Sequence, residues 1–397
     1  MRMQSCVVFA LVGLAASTSG VFATGPDQQR LPWRPGLDGN GKYSRLNSVV
    51  QVSTNTGLGT GTVIGTRQVG NDHWLCVLTA DHVVRGSNNI QVSFGDNGAI
   101  GTFGGADSWH IQRGQDDMAV VAVRLNAAPA GLPGVTAAQF AGRLNFPSFI
   151  SGLNSPSDVF GETFTQAGYG GYGNWDTRPN GPVEVRPGIR TTTASIAIPG
   201  DPNNRRYFPH IDNNKRFQNN RVERSRQILQ RVDPNDPTSA IIYNYTAIEF
   251  DLDVPQAAGL LAGEGISYAG DSGGPYFYNS LTTQFVGAMA RPDGVWPDGT
   301  ARPVPDWAAG DMQLLDDVLF AVHTFGNTIP GGGGNVAPNG STFFNPVWTS
   351  FGGGVPLTPA RIAWIQDWCS RIPAPGTASL LGLCGLVCVR RRRISAA

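Results

Sequence analysis

Three short segments of the sequence carry side chains that together could activate a serine. Ser272 lies in a Gly-Asp-Ser-Gly-Gly-Pro run, His82 closes a Thr-Ala-Asp-His run, and Asp117 opens an Asp-Met-Ala-Val run. A serine hydroxyl is a weak nucleophile at neutral pH, so it needs an imidazole to accept its proton and a carboxylate to fix the imidazole tautomer. The three motifs therefore predict Ser272 as nucleophile, His82 as general base and Asp117 as the acid that orients His82.

The glycines around Ser272 have a physical role of their own. Glycine lacks a Cβ, so it adopts positive φ and lets the backbone approach a bound carbonyl group closely. The backbone N–H groups of Gly270 and Ser272 are therefore expected to form an oxyanion hole, which stabilises the charge that develops on that carbonyl oxygen. In a chain with 52 glycines, a lone Gly-Asp-Ser-Gly would be a linker turn, but here both partner motifs accompany it.

An alternative exists for each of two assignments, the orienting acid and the general base. Asp116 competes with Asp117, but Asp117 directly precedes an apolar strand, and Asp116 should point the other way because side chains alternate along a strand. His82 could be a hydrogen-bonded core histidine. It follows an apolar run, however, which places it at a strand end facing a cleft and favours the general base.

These motifs resemble those of the chymotrypsin (trypsin-like) family of serine peptidases. The resemblance extends over most of residues 46–369, although its specific part is the three motifs. Further similar segments are the glycine-led run 59–64, the Ala-Gly-Tyr-Gly run 167–170, the run 285–289 after the serine, and the closing segment 360–368. The resemblance implies an all-β fold of two tandem six-stranded antiparallel β-barrels with a C-terminal helix, a protein or peptide substrate and no cofactor.

The pattern of residues independently indicates tandem β-barrels. Short runs rich in β-branched and aromatic residues alternate with Gly, Asn and Asp, as is typical of all-β proteins. These runs cover 49–53, 60–64, 74–78, 90–94 and 118–125, and then 163–167, 191–198, 240–250, 276–278, 284–290 and 343–349. We expect an irregular segment over 24–43, a first barrel over 44–145 that carries His82 and Asp117, and a second over 146–369 that carries Ser272.

Three segments outside the strands have their own predictions. Thr358 and Pro359 are suited to begin a C-terminal helix. Residues 199–237 form a basic, solvated insertion whose later part, 219–232, has the pattern of an amphipathic helix; a substrate-contacting surface is the alternative. Residues 291–340 are expected to form a long loop near the cleft, with an amphipathic piece over 312–320.

Substrate preference is expected from the residues before the serine. By the resemblance, Ile266 stands six residues before Ser272, where trypsin-like enzymes carry an acidic residue at the floor of the primary pocket. Ile266, Ser267 beside it and Ala290 on the facing strand predict a neutral or apolar pocket. Glu264 would restore a preference for basic side chains only if the loop were reshaped.

Asp271 raises the question of activation. In family members made as zymogens, the corresponding aspartate pairs with a new amino terminus, but no Ile-Val-Gly-Gly-like start occurs in this chain. Either Asp271 has another partner or the protein needs no such cleavage, and the second interpretation is preferred.

The ends of the chain resemble export and sorting signals. Residues 1–23 have a basic start, an apolar stretch and small residues at the expected cleavage spacing, as in a signal peptide. Residues 370–397 combine a Pro-rich start, an apolar run and four arginines, and resemble a PEP-CTERM sorting tail, except that Ala374 replaces the usual Glu. The tail would contact the membrane and a sorting transpeptidase; a simple tail anchor is the alternative.

Cysteine content, charge and histidine spacing exclude several classes of function. Removal of both ends would leave Cys76 and Cys369, and Cys76 is expected to be a buried apolar residue. The 29 acidic and 29 basic residues balance, so no net positive charge favours the binding of nucleic acid. The remaining histidines lack the spacing of a metal site.

The sequence therefore predicts an exported or envelope-associated serine endopeptidase. A catalytically silent envelope protein that uses the two barrels for binding is the second hypothesis, and the complete set of three motifs counts against it. An esterase is the third, but Pro275 prevents the direct strand-to-helix turn that esterases place after their serine.

Overall fold

The computed structural model of the chain describes residues 33–55, 57–170, 172–176, 196–197, 206–210, 213–233, 235–251, 270–278, 318–327 and 351–372. The predicted signal peptide, most of the predicted tail and the three predicted pocket residues Ile266, Ser267 and Ala290 lie outside these ranges. None of the helices within these ranges is long and apolar enough to cross a membrane.

The first sheet contains seven antiparallel strands in the order β5-β4-β1-β2-β3-β7-β6. Its strands are β1 (Val49–Ser53), β2 (Leu58–Val69), β3 (Asp72–Thr79), β4 (Ile90–Phe94), β5 (Gly101–Gly105), β6 (Ser108–Gln112) and β7 (Ala119–Arg124). Two short helices, α1 (Asp81–Val84) and α2 (Ala137–Arg143), and two single 3-10 turns, Arg45–Ser48 and Asp96–Gly98, accompany it.

This sheet curls around an apolar core. The backbone N–H of Ile90 in β4 donates to Oγ of Ser108 in β6, so strands from opposite ends of the sheet approach each other. Inside, valines of β1, β3 and β7 share one buried cluster, and Phe94 packs edge-on against Phe140 of α2 with ring centroids 5.1 Å apart. β-branched residues favour this packing because they fit a pleated, buried surface.

The second sheet runs in the order β13-β9-β16-β17-β18-β15-β14, and β8 pairs in parallel with β17. Its strands are β8 (Ser148–Phe149), β9 (Thr163–Gly168), β13 (Arg216–Arg221), β14 (Arg224–Arg231), β15 (Ile241–Asp251), β16 (Pro275–Tyr278), β17 (Val318–Asn327) and β18 (Phe351–Pro356). A separate small sheet joins β10 (Tyr172–Asp176), β11 (Ile196–Ala197) and β12 (Arg206–His210), and a 3-10 turn covers Pro156–Val159.

Aromatic rings fill the core of the second sheet. Phe164 stacks on Tyr276 with centroids 4.5 Å apart, and Phe250 and Phe320 close around the pair at 5.2 Å and 5.8 Å from Phe164. All four side chains are essentially inaccessible to solvent. Rings of this size each bury a large apolar area, so this cluster is a principal source of the sheet's stability.

The C-terminal helix α3 (Pro359–Ser370) packs back on the first barrel. Thr358 and Pro359 occupy its N-cap and first position as predicted, and Ile365 is fully buried. A disulfide joins Cys76 of β3 to Cys369, with the two Cα atoms 5.7 Å apart. The prediction that Cys76 is a simple buried thiol was therefore wrong, because the return of α3 brings a second cysteine to it from 293 residues away.

The predicted fold class is confirmed. The described residues form an all-β, chymotrypsin-like architecture of two curled antiparallel sheets with a C-terminal helix. The first sheet has seven strands where six were expected, since residues of β5 and β6 are rich in Gly and polar side chains and lack a strong strand pattern.

Two predictions about long segments were wrong. Residues 219–232 do not form a helix; they contribute to the edge strands β13 and β14, and exposure alternates with a period of two along most of β14. The residues predicted as a loop over 291–340 include β17, which lies between β16 and β18. Short apolar runs do not distinguish a helix from a strand, and the pairing partners decide the outcome.

The identity of the strand next to the serine segment follows from the same sheet order. β16 pairs with β9 on one side and with β17 on the other. Residues 285–289, which resemble the strand after the serine, lie outside the described residues. Ala290 itself lies outside the described residues.

Candidate active site

Strand register brings His82 and Asp117 together. β3 and β7 are antiparallel, and Thr79 at the end of β3 lies opposite Ala119 at the start of β7. After Thr79 the chain passes through the extended residue Ala80 into α1, which carries His82. Asp117 precedes Ala119 by two residues, so both side chains emerge at the same end of the barrel.

Asp117 makes two contacts to His82. The backbone N–H of His82 donates to Oδ1 of Asp117 at 2.9 Å, and Nδ1 of the ring lies 2.7 Å from Oδ2. The aspartate side chain is 6% exposed and that of the histidine 38% exposed. The carboxylate thus fixes the ring's orientation and favours the Nδ1–H tautomer, which leaves Nε2 free to accept a proton.

The surroundings of His82 raise the pKa of its imidazole above the ordinary value of 6.5. Burial alone would lower the pKa, but the hydrogen bond and the charge of Asp117, together with the charge of Asp81, outweigh this effect. A carboxylate that stabilises the imidazolium in this way is what a general base requires after it has taken up a proton.

Asp116 binds a different set of partners. Nε and Nη2 of Arg361 in α3 donate to its two carboxylate oxygens at 2.9 Å and 2.7 Å, and Arg113 donates to it as well. Burial tends to raise the pKa of this carboxyl, but the two arginines lower it below its ordinary value. The structure thus pairs Asp117, and not Asp116, with His82.

The serine turn rests directly on the first barrel. The carbonyl oxygen of Ser272 accepts a 2.8 Å hydrogen bond from the backbone N–H of Thr60 in β2. A Cβ on Gly59 would meet both the Ser272 carbonyl oxygen and the side chain of Val83, the residue after His82. The backbone of the serine turn and the Val83 side chain of the histidine helix therefore share Gly59 as a neighbour.

The glycine after the serine shows how close this approach is. Gly273 has φ of +87°, and a Cβ there would collide with Thr60 and with Thr79 and Ala80, the residues just before α1. Gly270 has φ of +103°. Within the described residues, no hydrogen bond joins the Ser272 hydroxyl to the His82 ring. The structure brings the two elements into contact through their backbones.

Asp271 has a partner within the chain. Its Oδ1 accepts a 2.8 Å hydrogen bond from the backbone N–H of Gly170, and a Cβ on either Gly168 or Gly170 would collide with the carboxylate. Of the two alternatives for Asp271, the structure therefore supplies the first, a partner other than a new amino terminus.

A buried polar cluster next to His82 was not anticipated from the sequence. Asp81 is 1% exposed, and its Oδ2 accepts hydrogen bonds from the hydroxyl of Tyr243 at 3.0 Å and from Nε of Arg85 at 2.7 Å. The guanidinium of Arg85 also lies 4.4 Å from the centre of the Tyr243 ring. Burial raises the pKa of Asp81, although Arg85 opposes this. The cluster ties β15 of the second sheet to α1.

His323 in β17 is the second histidine near the serine turn. Its backbone exchanges hydrogen bonds with Gly273 and Gly274, and its Nδ1 lies 2.6 Å from the hydroxyl of Tyr276. Burial, followed by the nearby His82, lowers the pKa of this imidazole to about 3. His323 is therefore a neutral, structural histidine, which leaves the role of base to His82.

The described part of the chain contains no group of three or more His, Cys, Asp or Glu side chains arranged to hold a metal ion.

No protein-family model and no curated protein matches the chain. Solved structures that resemble it include the Rv3671c protein of M. tuberculosis in an inactive form, with 13% identity over 86% of this chain and 97% of that chain and a TM-score of 0.35. The Rv3671c protease in an inactive form has 15% identity over 81% and 89% of the two chains, with a TM-score of 0.34. The active form of the M. tuberculosis protease has 15% identity over 81% and 80%, also with a TM-score of 0.34.

Proposed function

We propose that this protein is an exported serine endopeptidase that hydrolyses peptide bonds through Ser272, His82 and Asp117. The observation that carries the proposal is the 2.7 Å contact between Nδ1 of His82 and Oδ2 of Asp117, at the point where the serine turn packs on the first barrel. An oriented imidazole beside a glycine-flanked serine is the arrangement that nucleophilic acyl transfer requires.

The proposed reaction has two halves. Nε2 of His82 takes the proton of Ser272 as Oγ forms a bond to the peptide carbonyl carbon, and the N–H groups of Gly270 and Ser272 stabilise the resulting oxyanion. The imidazolium then gives its proton to the leaving amine, the C–N bond breaks, and an acyl-enzyme remains. Water, deprotonated by His82, cleaves that ester and restores the serine.

The absence of a hydrogen bond between the Ser272 hydroxyl and His82 in the described residues is compatible with this proposal. Catalytic hydrogen bonds in free enzymes are often long and tighten only when substrate binds. The backbone contacts of Ser272 leave its side chain half-buried at the surface of the turn.

The specificity and location of the enzyme are further parts of the proposal. Ile266, Ser267 and Ala290 supply a neutral or apolar primary pocket, and the sequence signals at both ends direct the protein to the cell envelope or beyond. Digestion of a peptide library tests the pocket; preferential cleavage after Arg or Lys would contradict it.

Labelling with a fluorophosphonate probe tests the reaction itself. The purified protein is expected to form a covalent adduct on Ser272, whereas Ser272→Ala should form none. Ser53→Ala, at the end of β1, is a matched control that should label like the unmodified chain. Equal labelling of the unmodified protein and of Ser272→Ala, or labelling of neither, would count against an enzyme and favour a silent envelope protein that binds ligands with its two barrels.

A further inference from the structure

Thr60 in β2 lies where three segments of the chain meet. The residue is fully buried, and all of its polar atoms bind partners outside its own strand. Its backbone N–H donates to the carbonyl oxygen of Ser272 at 2.8 Å, and its own carbonyl accepts from Oγ1 of Thr79 at 2.7 Å. One residue of the first barrel thus touches both the serine turn and the strand that leads to His82.

The hydroxyl of Thr60 adds a second bridge. It donates to the carbonyl oxygen of Gly270 at 2.8 Å and accepts from the backbone N–H of Tyr169 at 2.9 Å. A hydroxyl has one proton to donate and lone pairs to accept with, so these two bonds use it in both capacities. They link the beginning of the serine turn to the end of β9.

The close packing around Gly270 makes its backbone orientation depend on this bridge. A Cβ on Gly270 would lie 2.9 Å from Cα of Gly170 and 3.2 Å from the carbonyl oxygen of Tyr169, so the two backbones are in close contact. The carboxylate of Asp271 also accepts a hydrogen bond from the Gly170 N–H at 2.8 Å. Because Gly270 has positive φ and no side chain of its own, its orientation depends on bonds made by its neighbours.

We propose that the hydroxyl of Thr60 is a positioning group that holds Gly270 and Ser272 so that their N–H groups converge on one point. Thr60 acts at both ends of the turn, through its hydroxyl at Gly270 and through its N–H at Ser272. This inference rests on the proposed function for its catalytic consequence, but the ordering of the turn by Thr60 holds independently of any reaction.

Replacement of Thr60 by Val tests the inference, because it keeps the shape of the side chain and removes the hydroxyl. The maximal rate of fluorophosphonate labelling, kinact, is expected to fall about 10- to 100-fold, with the concentration for half-maximal labelling, KI, changed less than about threefold. Thr60→Ser keeps the hydroxyl and should restore kinact to within about threefold of the unmodified chain.

Thr62→Val is the matched control. Thr62 lies two residues further along β2, is also buried, and is expected to tolerate the same exchange without loss of kinact. If Thr60→Val labels as fast as Thr62→Val, or if Thr60→Ser is as slow as Thr60→Val, the positioning role is overturned.

Hydrogen exchange separates this inference from the proposed function. Backbone amides of residues 270–278 are expected to exchange at least about tenfold faster in Thr60→Val than in Thr60→Ser or Thr62→Val. If the unmodified protein does not label but this difference is present, the proposed function fails and the positioning role stands. If the unmodified protein labels and the exchange rates are equal, the positioning role fails alone.

Discussion

Arg361, in the C-terminal helix, donates two hydrogen bonds to the carboxylate of Asp116, which lies 245 residues earlier in the sequence. Asp116 is the residue immediately before the proposed orienting acid, Asp117. The helix therefore holds the loop from which the Asp117 side chain contacts His82.

Replacement of Arg361 by Ala should destabilise the protein. Asp116 would keep Arg113 but lose a bidentate partner while still buried, so the free energy of unfolding is expected to fall by about 2–3 kcal/mol. Denaturant unfolding measures the change. Arg371→Ala, which removes an exposed pair with Asp367, should cost less than about 1 kcal/mol, and equal effects of the two variants would contradict the argument.

The labelling rate should depend on pH through His82. Only the neutral imidazole accepts a proton, and the pKa of His82 is raised above 6.5, so the rate should be half-maximal above pH 6.5 and fall as the solution becomes more acidic. Asp117→Asn removes the carboxylate that raises the pKa of His82, so the pH of half-maximal rate is expected to fall. The same variant should slow the reaction by about 10³–10⁴-fold. Asp72→Asn, at a half-buried pair with Arg124, should change neither the pH of half-maximal rate nor the maximal rate. An unchanged pH of half-maximal rate in Asp117→Asn would argue against the assigned pair of His82 and Asp117.

Loss of the disulfide should lower stability. The bridge between Cys76 and Cys369 closes a loop of 293 residues, so it restricts the unfolded chain strongly. The double variant Cys76→Ala/Cys369→Ala is expected to lose about 2–5 kcal/mol of unfolding free energy. A reducing agent should destabilise the unmodified chain but leave the double variant unaffected; if both respond alike, the loss does not come from this bridge.

Lys215 should make stability depend on pH. Its side chain is fully buried, Nζ donates to the Leu46 carbonyl at 2.7 Å, and burial lowers its pKa to about 7 from 10.5. Between these values the unfolded chain holds a proton that the folded chain lacks, so stability contributed by this site rises with pH across the window. Below pH 7 both states are protonated and the full penalty of a buried charge is present.

Comparison of Lys215→Met with the unmodified chain isolates this effect. The variant removes the buried charge, and the Leu46 carbonyl keeps its bond from the Val49 N–H. It is expected to be more stable than the unmodified chain at pH 6, with a gain that shrinks steadily toward pH 9. Unfolding at both pH values provides the measurement, and Lys42→Met, at a partly exposed lysine, is the control. A gain independent of pH would refute the interpretation.

Much of the fold followed from local sequence patterns. The strands β1, β3, β4, β7, β9 and β15 were predicted because their side chains favour a pleated surface and Gly, Asn or Asp interrupts them. The helix α3 was predicted because Thr and Pro favour the first positions of a helix, where Thr358 and Pro359 stand. Such preferences depend on neighbouring residues alone, so a sequence displays them directly.

The rest of the fold depends on partners that are distant in sequence. β14 has an apolar pattern compatible with either a helix or a strand, and its hydrogen bonds with β15 decide the outcome. In the sequence, Cys76 stands in an apolar run typical of core residues; its disulfide partner, Cys369, is brought close only by the packing of α3. Lys215 and Thr60 carry no local signal, since their roles arise from the packing of one barrel on the other.

The sequence by itself determined the two-barrel class and the residues proposed to carry the chemistry, because each motif is short and its chemistry belongs to the residue types within it. Only the tertiary structure decided which carboxylate meets His82, what partner Asp271 has, and which residue of the first barrel supports the serine turn. These relationships are set by strand register and barrel docking, and both are sums of many weak contacts between segments that no local pattern connects.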